Sequence, residues 1–210
     1  MSDFETIPVV DISSLGGEDG AFHAEAVRRL RHAAEHVGFL YITGHGLPEP
    51  LLAALREAAR DFFARPLDEK MAAYIGHSRN HRGYVPEGEE VFAGGTPDAK
   101  EAFDLSRDLP ATDPDYLAGN PLLGPNQWPE GVAGFREAVT AYYEAAFALG
   151  QRMLRGFSEA LGLPASPSRC PSSVSSTIPS TRSRTTGRAS ARIPTMRFSP
   201  YCCRPRRAWK

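Results

Sequence analysis

The sequence predicts an α+β fold for residues 1–164, followed by a tail of different composition. Short aromatic and β-branched runs bounded by glycine or proline predict strands, and longer runs with apolar residues at helical spacing predict helices. The composition changes after Pro164: residues 1–164 hold every acidic residue and every histidine, whereas residues 165–210 hold neither and contain ten basic residues. The formal charges are −11 and +10, so the net charge of −1 averages two unlike segments.

The first part of the body alternates strands and helices. Residues 39–43 are aromatic and β-branched, which favours a buried strand. A glycine that follows a helical pattern marks its end, and a proline favours the first helical position. In order, we predict a strand over 7–12, a helix from Ala21 to Glu35 that stops before Gly38, the strand over 39–43, a helix from Pro48 to Phe63, and a short helix from Pro66.

The second part of the body is richer in loops. We predict short strands within residues 80–86 and 100–105, and an ordered surface loop from Pro110 to Pro129, where proline and asparagine turn signals cluster. The apolar residues between Phe135 and Leu161 recur on one helical face, which predicts a long amphipathic helix.

Composition narrows the class of protein. No apolar run is long enough to span a bilayer, and the acidic N-terminus does not resemble a signal peptide. The body has no cysteine, which favours a reducing, cytoplasmic setting. The three tail cysteines, Cys170, Cys202 and Cys203, do not match a zinc-site spacing.

The histidines do not by themselves predict a metal site. His23 and Glu25 are two residues apart, so on a helix they do not face each other. His32 and His36 are spaced to share a helix face, and we predict an exposed surface pair. His45 lies between two glycines, where a structural hydrogen bond accounts for it. We assign no catalytic residue and no metal ligand in this reading frame.

Two residues near the middle of the chain are candidates for substrate binding. Arg82 and Tyr84 lie in and just after a predicted loop. Residues on loops often carry binding functions, and an arginine or an aromatic ring suits contact with a small molecule.

Several segments, taken in order, resemble the isopenicillin N synthase-like family of 2-oxoglutarate/Fe(II)-dependent oxygenases. They are Ile7-Pro8-Val9-Val10-Asp11, residues 38–46, Phe62-Phe63 with Pro66 and Glu69-Lys70, Arg82-Gly83-Tyr84, residues 100–104, and Gly124-Pro125-Asn126-Gln127-Trp128-Pro129. The resemblance implies that residues 1–164 are the helix-rich N-terminal region of a double-stranded β-helix (jelly-roll) oxygenase.

The resemblance also implies a chemistry for intact relatives. A small-molecule substrate would be oxidised while 2-oxoglutarate is decarboxylated to succinate. A His-x-Asp pair and a distal His would hold Fe(II), leaving positions for 2-oxoglutarate and O₂. These ligands should follow Pro164, but no histidine follows His81. We therefore expect this chain to lack the iron site and most of the β-helix, and to bind neither cofactor well.

The genetic code offers an explanation for the missing ligands. If each tail codon starts one base late, the true codon joins the last base of one codon to the first two bases of the next. Cys202 and Cys203 must then both be leucine, and Phe198 and Tyr201 must both be apolar. This restores a leucine-rich strand, so we predict that residues 165–210 are out of frame and disordered.

The same register permits the family's first two iron ligands. His is allowed at Ile193, Thr at Pro194 and Asp at Thr195, directly before the leucine-rich strand. Upstream, residues 173–179 permit Leu-Arg-Leu-Leu-His-Tyr-Pro, which resembles the strand that precedes the metal motif.

Two alternatives remain open. In the first alternative, the tail is a genuine, disordered basic segment of a non-catalytic interaction protein, and its arginines would bind phosphate or an acidic partner. Only the composition of the tail favours a nucleic-acid partner, whereas the shared register of the tail codons favours the out-of-frame interpretation. In the second alternative, translational slippage or a partner chain restores the iron site.

Overall fold

The computed structural model describes residues 6–15, 24–89, 95, 100–163, 174–179 and 195–198. It confirms a mixed helix and strand architecture and divides into two compact units. The first unit comprises Met1–Glu49 and Glu144–Arg169, and the second comprises Pro50–Tyr143 and Cys170–Lys210.

The described elements agree in order with the predicted ones. Each of the predicted strands and helices is present, with ends that differ by a few residues. They are β1 (Val9–Asp11), α1 (Ala24–His32), a π-helical turn (Ala33–Val37), β2 (Tyr41–Thr43), α2 (Glu49–Phe63), α3 (Leu67–Met71), a 3₁₀ turn (Ile75–His77), β3 (Gly83–Val85), β4 (Ala102–Leu105), α4 (Pro114–Leu117), α5 (Phe135–Ala160), β5 (Val174–Pro179) and β6 (Thr195–Phe198).

The first unit is built on a two-stranded parallel sheet. Strands β1 and β2 pair with Val10 opposite Ile42. Val10 is fully buried and packs in an apolar core, which Ile42 joins from the second strand. The other core residues come from the β1–α1 region and from the C-terminal part of α5: Ile12, Leu15, Ala26, Leu30 and Ala160 are buried, and Val27, Leu40, Leu149, Met153 and Phe157 pack against them.

The prediction of a buried strand over 39–43 is wrong for its outer face. Tyr41 is 61% exposed and Phe39 is 65% exposed, whereas Ile42 packs against the core. Side chains alternate between the two faces of a strand, and one face of this pair has no covering layer among the described residues. The composition of the segment predicts the strand correctly. Whether each face of the strand is buried depends on which other elements pack against it.

The first helix ends at Gly38, as predicted, but its last turn is π-helical. Ala33–Val37 form this turn, and Gly38 ends it in the left-handed conformation with φ of 81°. The Gly38 N–H donates to the carbonyl of Ala33 at 2.8 Å, which closes the wide turn. Glycine adopts this conformation without the steric cost that a side chain would add.

The second unit is built on an antiparallel sheet in the order β3-β4-β5-β6. Tyr84 pairs with Phe103, and Phe103 pairs with Ile178. Phe62 of α2 and Phe135 of α5 pack on this row, with ring centroids 5.3 Å and 5.2 Å from Phe103. These edge-to-face contacts add to the burial of apolar area and fix the helices against the sheet.

Strands β5 and β6 lie in the tail, which its composition predicts to be disordered. For these residues the structure has two strands instead. Strand β4 is hydrogen-bonded to β3 along one edge. Strand β5 pairs with the other edge of β4, and this pairing satisfies the backbone N–H and C=O groups there. Ile178 is buried against this sheet, at 2% exposure. The remainder of the tail lies outside the described residues.

Candidate functional site

The segment that the resemblance links to iron binding meets the body at the sheet of the second unit. Thr195, the position of the out-of-frame Asp, begins β6 and pairs with Thr177 of β5. Thr177 pairs with Asp104 of β4, which in turn pairs with Gly83 of β3. These four positions form one row across the four strands. Ile193, the position of the out-of-frame His, lies outside the described residues.

Arg82 is buried directly before β3. Its side chain is wrapped by backbone: Nη1 donates to the carbonyls of Asn80 at 2.7 Å and His81 at 3.0 Å, and Nη2 donates to the carbonyl of Leu122 at 2.5 Å. Burial lowers the pKa of Arg82, and the nearby Tyr143 and Asp104 act in the opposite direction. The guanidinium therefore ties two distant loops together.

The loop held by Arg82 is locally strained. His81 has a φ of 56°, which is rare for a residue with a side chain. The neighbouring Asn80 is buried, and its amide Nδ2 donates to the carbonyl of Pro125 at 3.2 Å. Because Arg82 binds the carbonyls of both Asn80 and His81, its guanidinium stabilises the turn that contains the strained residue.

Tyr84 belongs to a buried polar cluster of three side chains. Its hydroxyl donates to Glu101 Oε2 at 2.7 Å, and the Lys70 ammonium lies 2.6 Å from the same oxygen. Lys70 Nζ also lies 5.2 Å from the centre of the Tyr84 ring and donates to the carbonyl of Phe63 at 3.3 Å. Burial, and then the hydrogen bond to Glu101, raise the pKa of Tyr84.

Arg82 and Tyr84 are therefore both buried, at 3% and 1% exposure, and both contact protein groups. Their proposed contact with a substrate stays a prediction. In the structure, each of the two side chains has hydrogen-bond partners within the protein: backbone carbonyls for Arg82 and the Glu101 carboxylate for Tyr84.

The Gly124–Pro129 segment, which the sequence identified only by resemblance, acts as a connector. Asn126 exchanges hydrogen bonds with the backbone of Ser106 at 2.7 Å and 3.1 Å. Gln127 Nε2 donates to the carbonyls of Arg82 at 2.6 Å and Tyr74 at 3.0 Å. Trp128 Nε1 donates to Asp108 Oδ2 at 3.0 Å. The amide side chains pair with backbone because each offers both a donor and an acceptor.

The residues of the described region do not fit an Fe(II) site. Within it, no group of three or more His, Cys, Asp and Glu side chains converges to hold a metal ion. His45 Nδ1 accepts from the Leu47 N–H at 3.0 Å, and its carbonyl accepts from Arg152 Nη2 at 2.7 Å, as expected for a structural histidine. His32 and His36 are an exposed pair on α1 and the π turn. His23 lies outside the described residues.

Comparison with known proteins decides the family. Residues 7–131 match the family model described as the N-terminal region of non-haem dioxygenases in morphine synthesis. The chain belongs to the 2-oxoglutarate/Fe(II)-dependent oxygenase family. The resemblance drawn from the sequence is confirmed, and the match covers the region from β1 through the Trp128 segment.

Curated relatives carry the same family name. The chain is 38% identical over 151 residues to the 2-oxoglutarate-Fe(II) type oxidoreductase hxnY of Emericella nidulans, covering 70% of this chain and 43% of the relative. It is 36% identical over 168 residues to homoarginine-6-hydroxylase 2-ODD-C23.1 of Arabidopsis thaliana, covering 76% and 50%. The chain thus spans about half the length of the curated relatives that it matches.

Solved structures agree on the fold. The rice dioxygenase for auxin oxidation superposes with a TM-score of 0.59 at 27% identity, covering 83% of this chain and 51% of that one. A 2OG-Fe(II) oxygenase family protein of Caulobacter crescentus superposes with a TM-score of 0.62 at 25% identity, covering 76% and 50%. Within the described part of this chain, no helix has the length and apolar character needed to cross a membrane.

Proposed function

We propose that this chain is the N-terminal part of an oxygenase that oxidises a small molecule and decarboxylates 2-oxoglutarate to succinate. The family membership supports the reaction class, and the relatives are named as 2-oxoglutarate-dependent oxidoreductases and hydroxylases. The match over residues 7–131 supports the assignment to the N-terminal region. In this role, the second unit supplies the sheet edge on which further strands are laid.

We also propose that the chain as written does not catalyse this reaction. The family's metal site takes two histidines and a carboxylate, and no histidine follows His81 in the sequence. No group of side chains in the described region provides a substitute triad. The residues present therefore do not fit the ion.

The observation that carries the proposal is the position of the two tail strands. β5 (Val174–Pro179) covers the segment that the shifted frame reads as the strand before the metal motif, and β6 (Thr195–Phe198) starts at the position of the shifted-frame Asp. The pairing of Thr177 with Thr195 brings the two shifted segments side by side. The position of β5 therefore coincides with a strand that the alternative frame requires, which supports a shifted reading frame. The leucine positions 202 and 203 of the following strand lie outside the described residues.

The test compares the chain as written with a chain in which one base is restored near codon 165. We expect the restored chain to consume 2-oxoglutarate and to form succinate in the presence of Fe(II) and O₂, and the present chain to match a metal-only control. Replacing the restored Asp at position 195 by Ala should abolish turnover. Turnover by the present chain, with no restored base, would overturn the proposed inactivity.

A further inference from the structure

The outer face of the β1–β2 sheet carries an exposed apolar patch. Val9 of β1 lies opposite Tyr41 of β2, and these side chains are 51% and 61% exposed. Ile7 and Phe39 stand two residues earlier on the same face, because side chains alternate along a strand, and they are 38% and 65% exposed. We propose that this outer patch is the docking surface for an apolar strand layer that the shifted frame encodes after Pro164, an inference that rests on the proposed function.

A parallel sheet with one bare face is unusual. Parallel strands occur almost only in sheets that are covered on both faces, and such strands have near-continuous apolar runs rather than alternating ones. Strands β1 and β2 are parallel, and residues 7–10 and 39–42 are both continuous apolar runs. The inner face packs in the core, where Val10 is fully buried, but the described residues supply no layer over the outer face. The sequence of the pair is therefore that of strands buried on both sides.

The size of the outer patch favours a layer of the same chain over a second copy. The exposed fractions of its four side chains correspond to about 400 Å², whereas a standard interface buries roughly 800 Å² on each partner. A patch of this size contributes too little free energy to hold two separate molecules together. A layer that belongs to the same chain meets the patch at a high effective concentration, because the two are covalently linked.

The tail as written does not suit this surface, whereas the shifted frame does. Residues 165–210 contain ten basic residues, and it is costly to place an unpaired charge against an apolar face. In the shifted frame, positions 202 and 203 are leucine and positions 198 and 201 are apolar. The shifted frame therefore encodes strand residues that can cover an apolar face. Asp11 and Thr43, the exposed polar pair at the ends of β1 and β2, limit the patch on one side.

Thiol labelling tests the outer patch, because the body has no cysteine of its own. Tyr41→Cys is introduced into the chain as written and into the frame-restored chain, and its reaction with N-ethylmaleimide is followed by peptide mass spectrometry. The matched control is Ala34→Cys, at an exposed position on the π turn of the same unit. We expect the Tyr41→Cys thiol to react about tenfold or more slowly in the frame-restored chain, because labelling then requires local opening. The Ala34→Cys thiol should react equally fast in both chains.

A second measurement uses the chain as written alone. This chain should bind the dye anilinonaphthalene sulfonate, which fluoresces on exposed apolar surface. Phe39→Ser should lower the fluorescence, because Phe39 is the most exposed side chain of the outer patch. Unchanged fluorescence would show that the patch is not open in the chain as written, and would overturn the proposal.

The labelling result separates the docking surface from the reaction, since it needs neither iron nor turnover. Equal rates for Tyr41→Cys in the two chains would overturn the proposal, and so would protection of that thiol in a dimer of the chain as written. A frame-restored chain that consumes 2-oxoglutarate but leaves the thiol reactive contradicts the docking surface alone. A frame-restored chain that protects the thiol without turnover contradicts the reaction alone. Stop codons throughout the shifted frame contradict both.

Discussion

The Tyr84 hydroxyl and the Lys70 ammonium share one oxygen of Glu101, at 2.7 Å and 2.6 Å. All three side chains are largely removed from water in the second unit, and Tyr84 comes from β3 while Lys70 comes from α3. Glu101 therefore links a helix to the sheet by satisfying two buried donors at once, which makes it a sensitive position.

We predict that Glu101→Gln destabilises the chain by about 3 kcal/mol, because removing one partner of a buried ion pair leaves the other charge uncompensated. The matched control is Glu69→Gln, which breaks the exposed pair with Arg65 at 2.7 Å and should cost less than about 1 kcal/mol. Urea unfolding of both variants measures the difference in the free energy of unfolding. Equal costs for the two substitutions would contradict a buried role for Glu101.

The buried tyrosines should make the fold sensitive to alkali. Burial raises the pKa of Tyr84, Tyr142 and Tyr143 in the folded chain. A raised folded-state pKa stabilises the fold below the unfolded value of about 10, and this contribution is lost as pH rises toward and through the folded value. Stability should therefore fall above about pH 10.

The measurement for this prediction is urea unfolding at a series of alkaline pH values, followed by Tyr84→Phe. The variant should show a shallower loss of stability with pH, since one of the three buried phenols is absent. Tyr41→Phe is the control, because Tyr41 is 61% exposed, and it should leave the slope unchanged. A slope that is the same in Tyr84→Phe as in the unmodified chain would contradict the assignment.

Gly83 should tolerate no side chain. It has a φ of 120°, and an added Cβ would lie 2.2 Å from the backbone oxygen of Ala73. Gly119 also has a positive φ, of 83°, but an added Cβ would meet nothing within 4 Å. We predict that Gly119→Ala costs about 1 kcal/mol from backbone strain alone, and that Gly83→Ala costs about 3 kcal/mol or more because it adds a clash with backbone.

Thermal unfolding of the two alanine variants separates strain from crowding. If both substitutions lower the melting temperature by the same amount, the close approach of β3 to Ala73 is not what requires glycine at position 83. If Gly83→Ala lowers the melting temperature much more than Gly119→Ala does, the close approach is the cause.

Part of the fold follows from the sequence because its signals are local. Apolar periodicity between Phe135 and Leu161 corresponds to α5, and Pro48 directly precedes the start of α2. The short helix α4 lies inside the predicted loop and was not predicted. Its N-cap is an aspartate, a residue type that favours this position: the Asp113 carboxylate accepts from the N–H groups of Asp115 and Tyr116.

Other features depend on distant residues and have no local signal. The partner of Arg82 Nη2 is the carbonyl of Leu122, forty residues away, and the residue type of Arg82 gives no sign of this backbone acceptor. The exposure of Tyr41 likewise depends on which layer covers the sheet. In the tail, composition predicted disorder, but the open edge of β4 supplies a pairing site for β5 that composition does not show.

The most direct test of a shifted reading frame is the nucleotide sequence of the gene across codons 192–195 and beyond the present end. We predict that the Arg192 codon ends in C, that Ile193 is ATA and that Pro194 is CCG, so that the shifted frame spells His, Thr and Asp. The shifted frame should then stay open and encode a distal histidine. Other bases at these positions, or stop codons throughout the shifted frame, would contradict it and leave the tail as a genuine basic segment.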